Sequence, residues 1–463
     1  MKLLPSLFRK KYPIIVPQSR HTMSRKYIER SVLDIMHRLR SNGFDAFLVG
    51  GCVRDLLLDK KPKDFDIVTD ARPQQIKRLF RRCFLIGRRF RLAHVYISHD
   101  RFVEVATFRA TVDPEEFAGE GRFTANNQYG SIEEDALRRD FTINGLYYDS
   151  TDGSIHDYSG GLDDLKKKTI RSIGDPMKRF AEDPVRIIRA ARFCAQLDFT
   201  LSKTDFRAAT ASAHLITQAN AHRMLEELYK ILRCGASAGT FRNLQNFRIL
   251  KHWLPELDPD RQPNLVKRLA AVDRRRAAGE EIPAAVLLAA LFYDLFDEAM
   301  GDRRGFQDVF TMMHQRFSDL VTRLRIPRRE WDYITNLVAR QSSFTRIVSG
   351  PRGKNYEKRF VRNAHYANSL MFFEIFAEAA GGYQEELKYW KERAARTIPD
   401  GNRRPAGEGG RRPEAAMQRP EVGAQRPEGS GGNRGRGRNR RRRNRGPHRP
   451  AGPEPAAGPA PGA

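Results

Sequence analysis

The chain has 463 residues, 40% of them hydrophobic, and a formal charge of +27. That length exceeds one compact core and suggests roughly two to three domains. No run of about 18 apolar residues offers a membrane span, and the charge calls for a polyanionic partner, nucleic acid before a membrane surface.

Residues 1–28 read as an N-terminal arm lying on the body of the protein. The stretch MKLLPSLFRKKYPIIVPQ is basic and lightly apolar, and its apolar runs are too short for a secretory signal. No acidic residue precedes Glu29, which leaves a transit peptide as the alternative. The spacing of Ile28, Val32, Ile35, Met36 and Leu39 predicts a helix over 28–42, closed by Gly43. Residues 44–49 (FDAFLV) read as a strand broken by Gly50-Gly51, after which VRDLLL opens a short helix. FDIVT at 65–69 is a second strand, and 73–82 is a helix started by Pro73. AHVYI (93–97) and FVEVATF (102–108) alternate like a hairpin. Strands and helices mixed in this way predict an α/β or α+β head over 29–177.

Strand signals fade after about residue 178. Helical periodicity runs through 181–197, 204–215, 221–233, 238–250, 284–298, 306–323, 329–339 and 368–395. These segments predict an all-helical neck over 178–255 and body over 256–396. Residues 397–463 hold no Phe, Trp or Tyr, and 15 Arg stand against 6 acidic residues, a net of +9. Such a tail cannot bury enough apolar surface to order itself and is expected to be disordered. Its densest part, with Arg440, Arg441, Arg442 and Arg443, suits RNA, because guanidinium forks bind phosphates and stack on bases. A solubility tail is the plainer alternative. Cys52, Cys83, Cys194 and Cys234 form no C-x-x-C pair and read as reduced thiols of an intracellular protein.

The residues that carry chemistry lie in four blocks. Gly50-Gly51 lets the backbone approach a phosphate closely between a strand and a helix N-terminus, where Arg54 adds a cation. Asp64 and Asp66, two apart on a strand, project to one face with Phe65 behind them. Alone the pair reads as a polar strand edge; coupled to the glycine turn it suits two divalent cations in phosphoryl transfer. Glu104, with Val103 and Val105 pointing the other way, could complete a carboxylate triad or simply face water. In Arg138-Arg139-Asp140 two cations could grip a triphosphate while Asp140 orients them or reaches the metal or sugar; a capped, charged helix start is the alternative. Asp183 and Arg186 are three apart, hence on one helical face, where a carboxylate and a guanidinium could read a base edge. An ordinary salt bridge fits that spacing equally.

Together FLVGGCVRDLLL (47–58), KPKDFDIVT (61–69), EEDALRRDFTING (133–145) and EDPVRIIRAARF (182–193) resemble the class II nucleotidyltransferase family, the bacterial poly(A) polymerases and related CCA-adding enzymes. The resemblance implies an α+β fold: a small mixed-sheet nucleotidyltransferase head, an all-helical neck and body, and here a disordered basic tail. By motif it implies Asp64 and Asp66 as ligands of two Mg²⁺, with Mn²⁺ the alternative, and Gly50, Gly51 and Arg54 at the triphosphate. It places Arg139 and Asp140 in the nucleotide site and assigns base selection to Asp183 and Arg186; Arg138 and Arg189 are counted with the nucleotide-binding residues. HTMSRKYI (21–28), GRRFRLAHV (87–95) and the Arg-rich tail resemble the poly(A) polymerase branch. LLAALFYDLF (287–296) lacks the His-Asp pair of a phosphohydrolase. The expectation is a monomeric, cytoplasmic enzyme that adds AMP from ATP to RNA 3′ ends, with RNA-decay or RNA-chaperone proteins as further partners. A CCA-adding tRNA nucleotidyltransferase is the alternative, and a non-catalytic basic RNA-binding protein the second.

Overall fold

Alternation and β-branched content build one mixed sheet in the first part of the chain. The computed structural model describes residues 12–23, 25–87, 92–110, 129–301, 305–345 and 351–397. Its strands are β1 (Ile14–Val16), β2 (Ala46–Val49), β3 (Asp66–Thr69), β4 (Cys83–Ile86), β5 (Leu92–Tyr96), β6 (Phe102–Thr107), β7 (Leu146–Asp149) and β8 (Ile155–Asp157). They lie in the order β1-β8-β7-β2-β3-β6-β5-β4. Only β3 and β6 run parallel; the other neighbours are antiparallel. The helices α1 (Arg30–Ser41), α2 (Gly51–Leu57) and α3 (Pro73–Leu79) bury Val32, Met36, Val53 and Ile76 against one face. A fourth, α4 (Ile132–Leu137), covers part of the other face, in a cluster with Phe47, Val49, Val68, Phe108 and Tyr147. The half of that face formed by β6, β5 and β4 carries exposed side chains.

Helices follow: α5 (Gly161–Lys166), α6 (Pro176–Glu182), α7 (Val185–Leu197), α8 (Lys203–Ala211), α9 (Ala221–Arg233) and α10 (Ser237–Asn246). A short parallel pair, β9 (Thr169–Ile170) and β10 (Thr200–Leu201), ties the head to this region. Ten further helices run from Leu250–Trp253 to Gln384–Thr397 among the described residues. The fold is thus a mixed-sheet head with a helical body. One apolar core runs from Met23 through Val105, Ile188 and Leu287 to Ile375, without a break at 177 or 255. All described residues fall in one compact unit, Met1–Glu408; a second, Gly409–Ala463, lies outside them, as do Arg440–Arg443. The four cysteines are free, and no helix among the described residues is long and apolar enough to cross a membrane.

Several elements differ from the sequence expectation. Part of the N-terminal arm is not merely laid on the body: Ile14–Val16 pairs with β8 as an edge strand. The helix expected over 73–82 stops at Leu79, because Phe80 turns to extended backbone and Cys83–Ile86 enters the sheet. The helix expected over 181–197 is broken at Asp183. Pro184 follows, and the proline ring drives the residue before it out of helical conformation; Asp183 sits at φ −148°, ψ 91°. The segment 368–395 is two helices, parted where Gly381 takes φ +72°. A helix at Pro263–Ala277 was not expected, because its apolar spacing is thin and its inward face includes a buried arginine, Arg268.

Candidate active site

The carboxylate pair stands at the start of β3. Asp64 and Asp66 are exposed while Phe65 between them is buried, as alternation requires. Asp66 pairs with Val49 on one side and with Glu104 on the other. The Gly50-Gly51 turn therefore begins one residue from the position facing Asp66, and thirteen residues of sequence collapse to a strand spacing. Gly50 adopts φ +81°, a conformation other residues rarely hold, and a Cβ there would lie 3.6 Å from Arg139 Nη1.

Asp64, Asp66, Glu104 and Lys63 line a cleft of about 440 Å³, together with Glu29 and Arg101 among others. Although Asp66 is accessible along the cleft, desolvation of its carboxyl, then the charges of Glu104 and Asp64, push it up to about 6, while Arg139 opposes the shift. Glu104 is raised as well, by burial and then by Asp64. Among the described residues no three His, Cys, Asp or Glu side chains already converge as a ligand set. Asp66 and Glu104, both raised in part by neighbouring carboxylate charge, nonetheless form a site that a cation would relieve, and a hard oxygen set suits Mg²⁺. Asp64 and Asp66 thus fit a divalent metal, with Glu104 beside them. Cys52 is no nucleophile here: burial and the nearby Asp66 push its thiol up to about 12.

The arginines organise around a carboxylate that sequence reasoning passed over. Asp135, buried on α4, accepts from Arg139 Nη2 at 2.8 Å and from the Tyr147 hydroxyl at 2.8 Å. Arg138 lies 3.7 Å away, and the Arg109 backbone N–H donates to it at 3.4 Å. Burial and then the charge of Arg109 lower Arg138 to about 10. The i,i+4 spacing of Asp135 and Arg139 was the available signal. Arg54 is buried and donates to Asp55 and to Asn144 at 2.7 and 2.8 Å, with Phe193 below it. It therefore braces the glycine turn against the DFTIN segment.

A second cleft, of about 330 Å³, opens where head and neck meet, lined by Arg139, Asp140, Asp183, Arg186, Arg189, Arg223, Glu227 and Lys230 among others. Asp140 lines this cleft, whereas Asp64, Asp66 and Glu104 line the first. It accepts from Arg189 Nε at 2.8 Å and Nη2 at 2.6 Å, and from Asn144 at 3.1 Å. Asp183 and Arg186 both line the cleft, but not as a pair on one helix, since Asp183 precedes the break at Pro184. Asp183 accepts both Nη atoms of Arg223, at 3.0 and 2.7 Å. Arg186 donates to Glu182 and to the Arg179 carbonyl, each at 2.8 Å. The sequence reading missed Arg223, Glu227 and Lys230, which recur along the polar side of α9 while Met224, Leu228 and Ile231 are buried. Glu227 gathers Arg189, Arg192 and Lys230.

Residues 46–171 match the poly A polymerase head domain, and residues 198–261 match a domain described as the probable RNA and SrmB-binding site of polymerase A. Poly(A) polymerase I of Haemophilus influenzae is 36% identical over 82% of this chain and 87% of its own length. The chain belongs to the poly(A) polymerase I family. The Salmonella typhi member is 35% identical over 83% of this chain and 87% of its own length. CCA-adding enzymes match less of it: that of Bacillus pumilus is 35% identical over 50% of the chain and 56% of its own length. Among solved structures, the Bacillus stearothermophilus CCA-adding enzyme with CTP shares the fold at TM-score 0.60 and 24% identity, covering 81% of this chain and 83% of that one. A tRNA nucleotidyltransferase with a primer tRNA and an incoming ATP analogue aligns at TM-score 0.53 and 25% identity, over 77% and 98% of the two chains. As a member of the family, the chain is an enzyme, an RNA nucleotidyltransferase that adds adenylates, which sets the non-catalytic alternative aside.

Proposed function

We propose that the enzyme is a poly(A) polymerase, adding AMP from ATP repeatedly and without a template to RNA 3′ ends. The observation that carries this over CCA addition is extent: likeness to the poly(A) polymerase I relatives runs through 82% of the chain, whereas the CCA-adding relatives match about half. Asp64 and Asp66, with Glu104 adjoining, would hold Mg²⁺, which when bound supplies charge neutralisation at the reacting phosphate. Arg139, aimed at the Gly50-Gly51 turn and held by Asp135 and Tyr147, is a fixed cation for the triphosphate. Arg138 adds a second. Arg54 acts one step back, holding the turn to Asn144.

The second cleft takes the base. Adenine offers an amine at N6 and an acceptor at N1, which suit a carboxylate and a guanidinium. Asp183 and Arg186 supply both groups on one wall. Because Asp183 is engaged by Arg223, ATP must compete for it, so Arg223 belongs with the selecting residues. Asp140 and Arg189 are read as the strut that sets the distance between the base cleft and the Arg139 cation. The enzyme acts as a cytoplasmic monomer, where its substrates, ATP and RNA, are found. Incubating it with an unstructured 3′-hydroxyl RNA and each nucleoside triphosphate separately tests the reading. ATP should give long products; equal use of CTP would overturn it.

A further inference from the structure

The sheet face that carries the carboxylates does not end with them. Side chains alternate along β6, so Phe102 shares the face of Glu104. Register extends that face across the neighbouring strands. Glu104 stands beside His94 and Phe102 beside Tyr96; His94 in turn stands beside Phe84. The opposite sides of these strands, including Cys83, Ala93, Val95 and Val103, are buried in the core.

The rings are in mutual contact. His94 lies flat on Phe102, ring centres 4.1 Å apart and planes 8° from parallel. Tyr96 meets both Phe102 and Phe84 at 5.5 Å. Yet Phe84 is 60% exposed, Ile86 49% and Phe102 41%. Large apolar side chains gathered at one place on one face mark a binding surface, unlike singly scattered ones. Phe102 also lines the cleft of Asp64, Asp66 and Glu104, alongside Lys63 and Arg101. The aromatic surface and the carboxylate cleft are therefore continuous, with cations at the join.

We propose that Phe84, His94, Tyr96 and Phe102 form a stacking platform for the unpaired RNA bases just upstream of the 3′-hydroxyl. The proposal rests on the reading of Asp64 and Asp66 as the place of transfer. Its occupant follows from what adjoins it: a strand whose end must reach the carboxylates lays its preceding bases on the next surface of the same sheet. Every base has a π-face, so such a platform accepts any sequence and keeps hold of a growing tail as it advances.

The test compares wild type with the double variant Phe84→Ala/Tyr96→Ala, two side chains outside the carboxylate cleft, and with the conservative Phe84→Tyr. The probe is an eight-nucleotide oligoadenylate with 2-aminopurine at the third position from its 3′ end. Removing an aromatic ring on which a base stacks weakens binding roughly tenfold or more. The double variant should accordingly raise KM for the oligonucleotide roughly tenfold, leave KM for ATP and kcat at saturating RNA unchanged, and lose the quenching of 2-aminopurine that the wild type should show. Phe84→Tyr should behave as wild type, and circular dichroism should show an intact fold for both. An unchanged KM and unchanged quenching would overturn the platform. So would a wild-type dimer that the substitutions dissociate, since a second copy would then cover the patch. A wild type that quenches the probe but extends no RNA would sink the transfer reading and leave the platform standing.

Discussion

Asp140→Asn keeps the shape of the side chain at the head–neck junction and removes its charge. Asp140 accepts from the Phe141 amide at 2.8 Å, from Asn144 and twice from Arg189. Burial alone would raise its carboxyl, but Arg189 and these hydrogen bonds hold it down at about 2, against about 4 for a free aspartate. A difference of about two pKa units corresponds to roughly 2–3 kcal/mol of folding stability. Because the folded-state value is the lower one, that stability is present above about pH 4 and is lost as pH falls through 2, with about half remaining at pH 3. In the variant Arg189 keeps Glu227 at 3.5 Å, so the loss should lie near the lower figure, about 2 kcal/mol. Urea unfolding of both proteins measures this. The gap between wild type and Asp140→Asn should be about 2 kcal/mol at pH 7 and shrink to about half that at pH 3. A variant as stable as wild type at pH 7, or a gap that does not shrink, would refute the assignment of Asp140 as a strut. KM for ATP should rise in the same variant, because the pair lines the base cleft.

Asp64→Ala or Asp66→Ala should lower transfer by roughly a thousandfold or more, the scale of losing several kcal/mol of charge neutralisation, while RNA binding in a gel-shift assay survives. Near-normal turnover in either variant would remove the metal assignment. Arg186→Ala should raise KM for ATP and blur base choice by roughly 1–3 kcal/mol, the cost of an unpaired buried polar partner, read from ATP and CTP incorporation in parallel. Deleting residues 397–463 should leave a folded, active enzyme whose RNA affinity is weaker at low salt and converges with wild type as salt rises; a truncated protein that no longer folds would contradict the reading of the tail.

The parts legible in the sequence were those with a short-range signature. Phe65 between Asp64 and Asp66 marked the shared facing of that pair by alternation, whereas Glu104 was left open until register set it beside Asp66. The glycine turn announced itself, and Gly50 does need a positive φ. What stayed hidden depended on partners distant in the chain. Spacing could propose an Asp183–Arg186 pair, but Pro184 takes Asp183 off the helix, and Arg223, forty residues on, claims it. Nothing near Asp140 in the sequence points to Arg189, forty-nine residues on, which donates to it. The short strands β7 and β8 are invisible for a related reason. LYYD and IHD lack the length for alternation to show, and only pairing in the sheet defines them. The aromatic face of β4, β5 and β6 exists only once register brings Phe84, His94 and Phe102 together.

The central claim, repeated adenylate addition, is tested most directly by product length on two substrates: a generic 3′-hydroxyl RNA and a tRNA lacking its terminal residues. Poly(A) synthesis predicts long tails from ATP alone on the generic RNA, with no need for CTP. Addition of two C and one A followed by arrest, on the tRNA only, would contradict it and establish CCA addition instead.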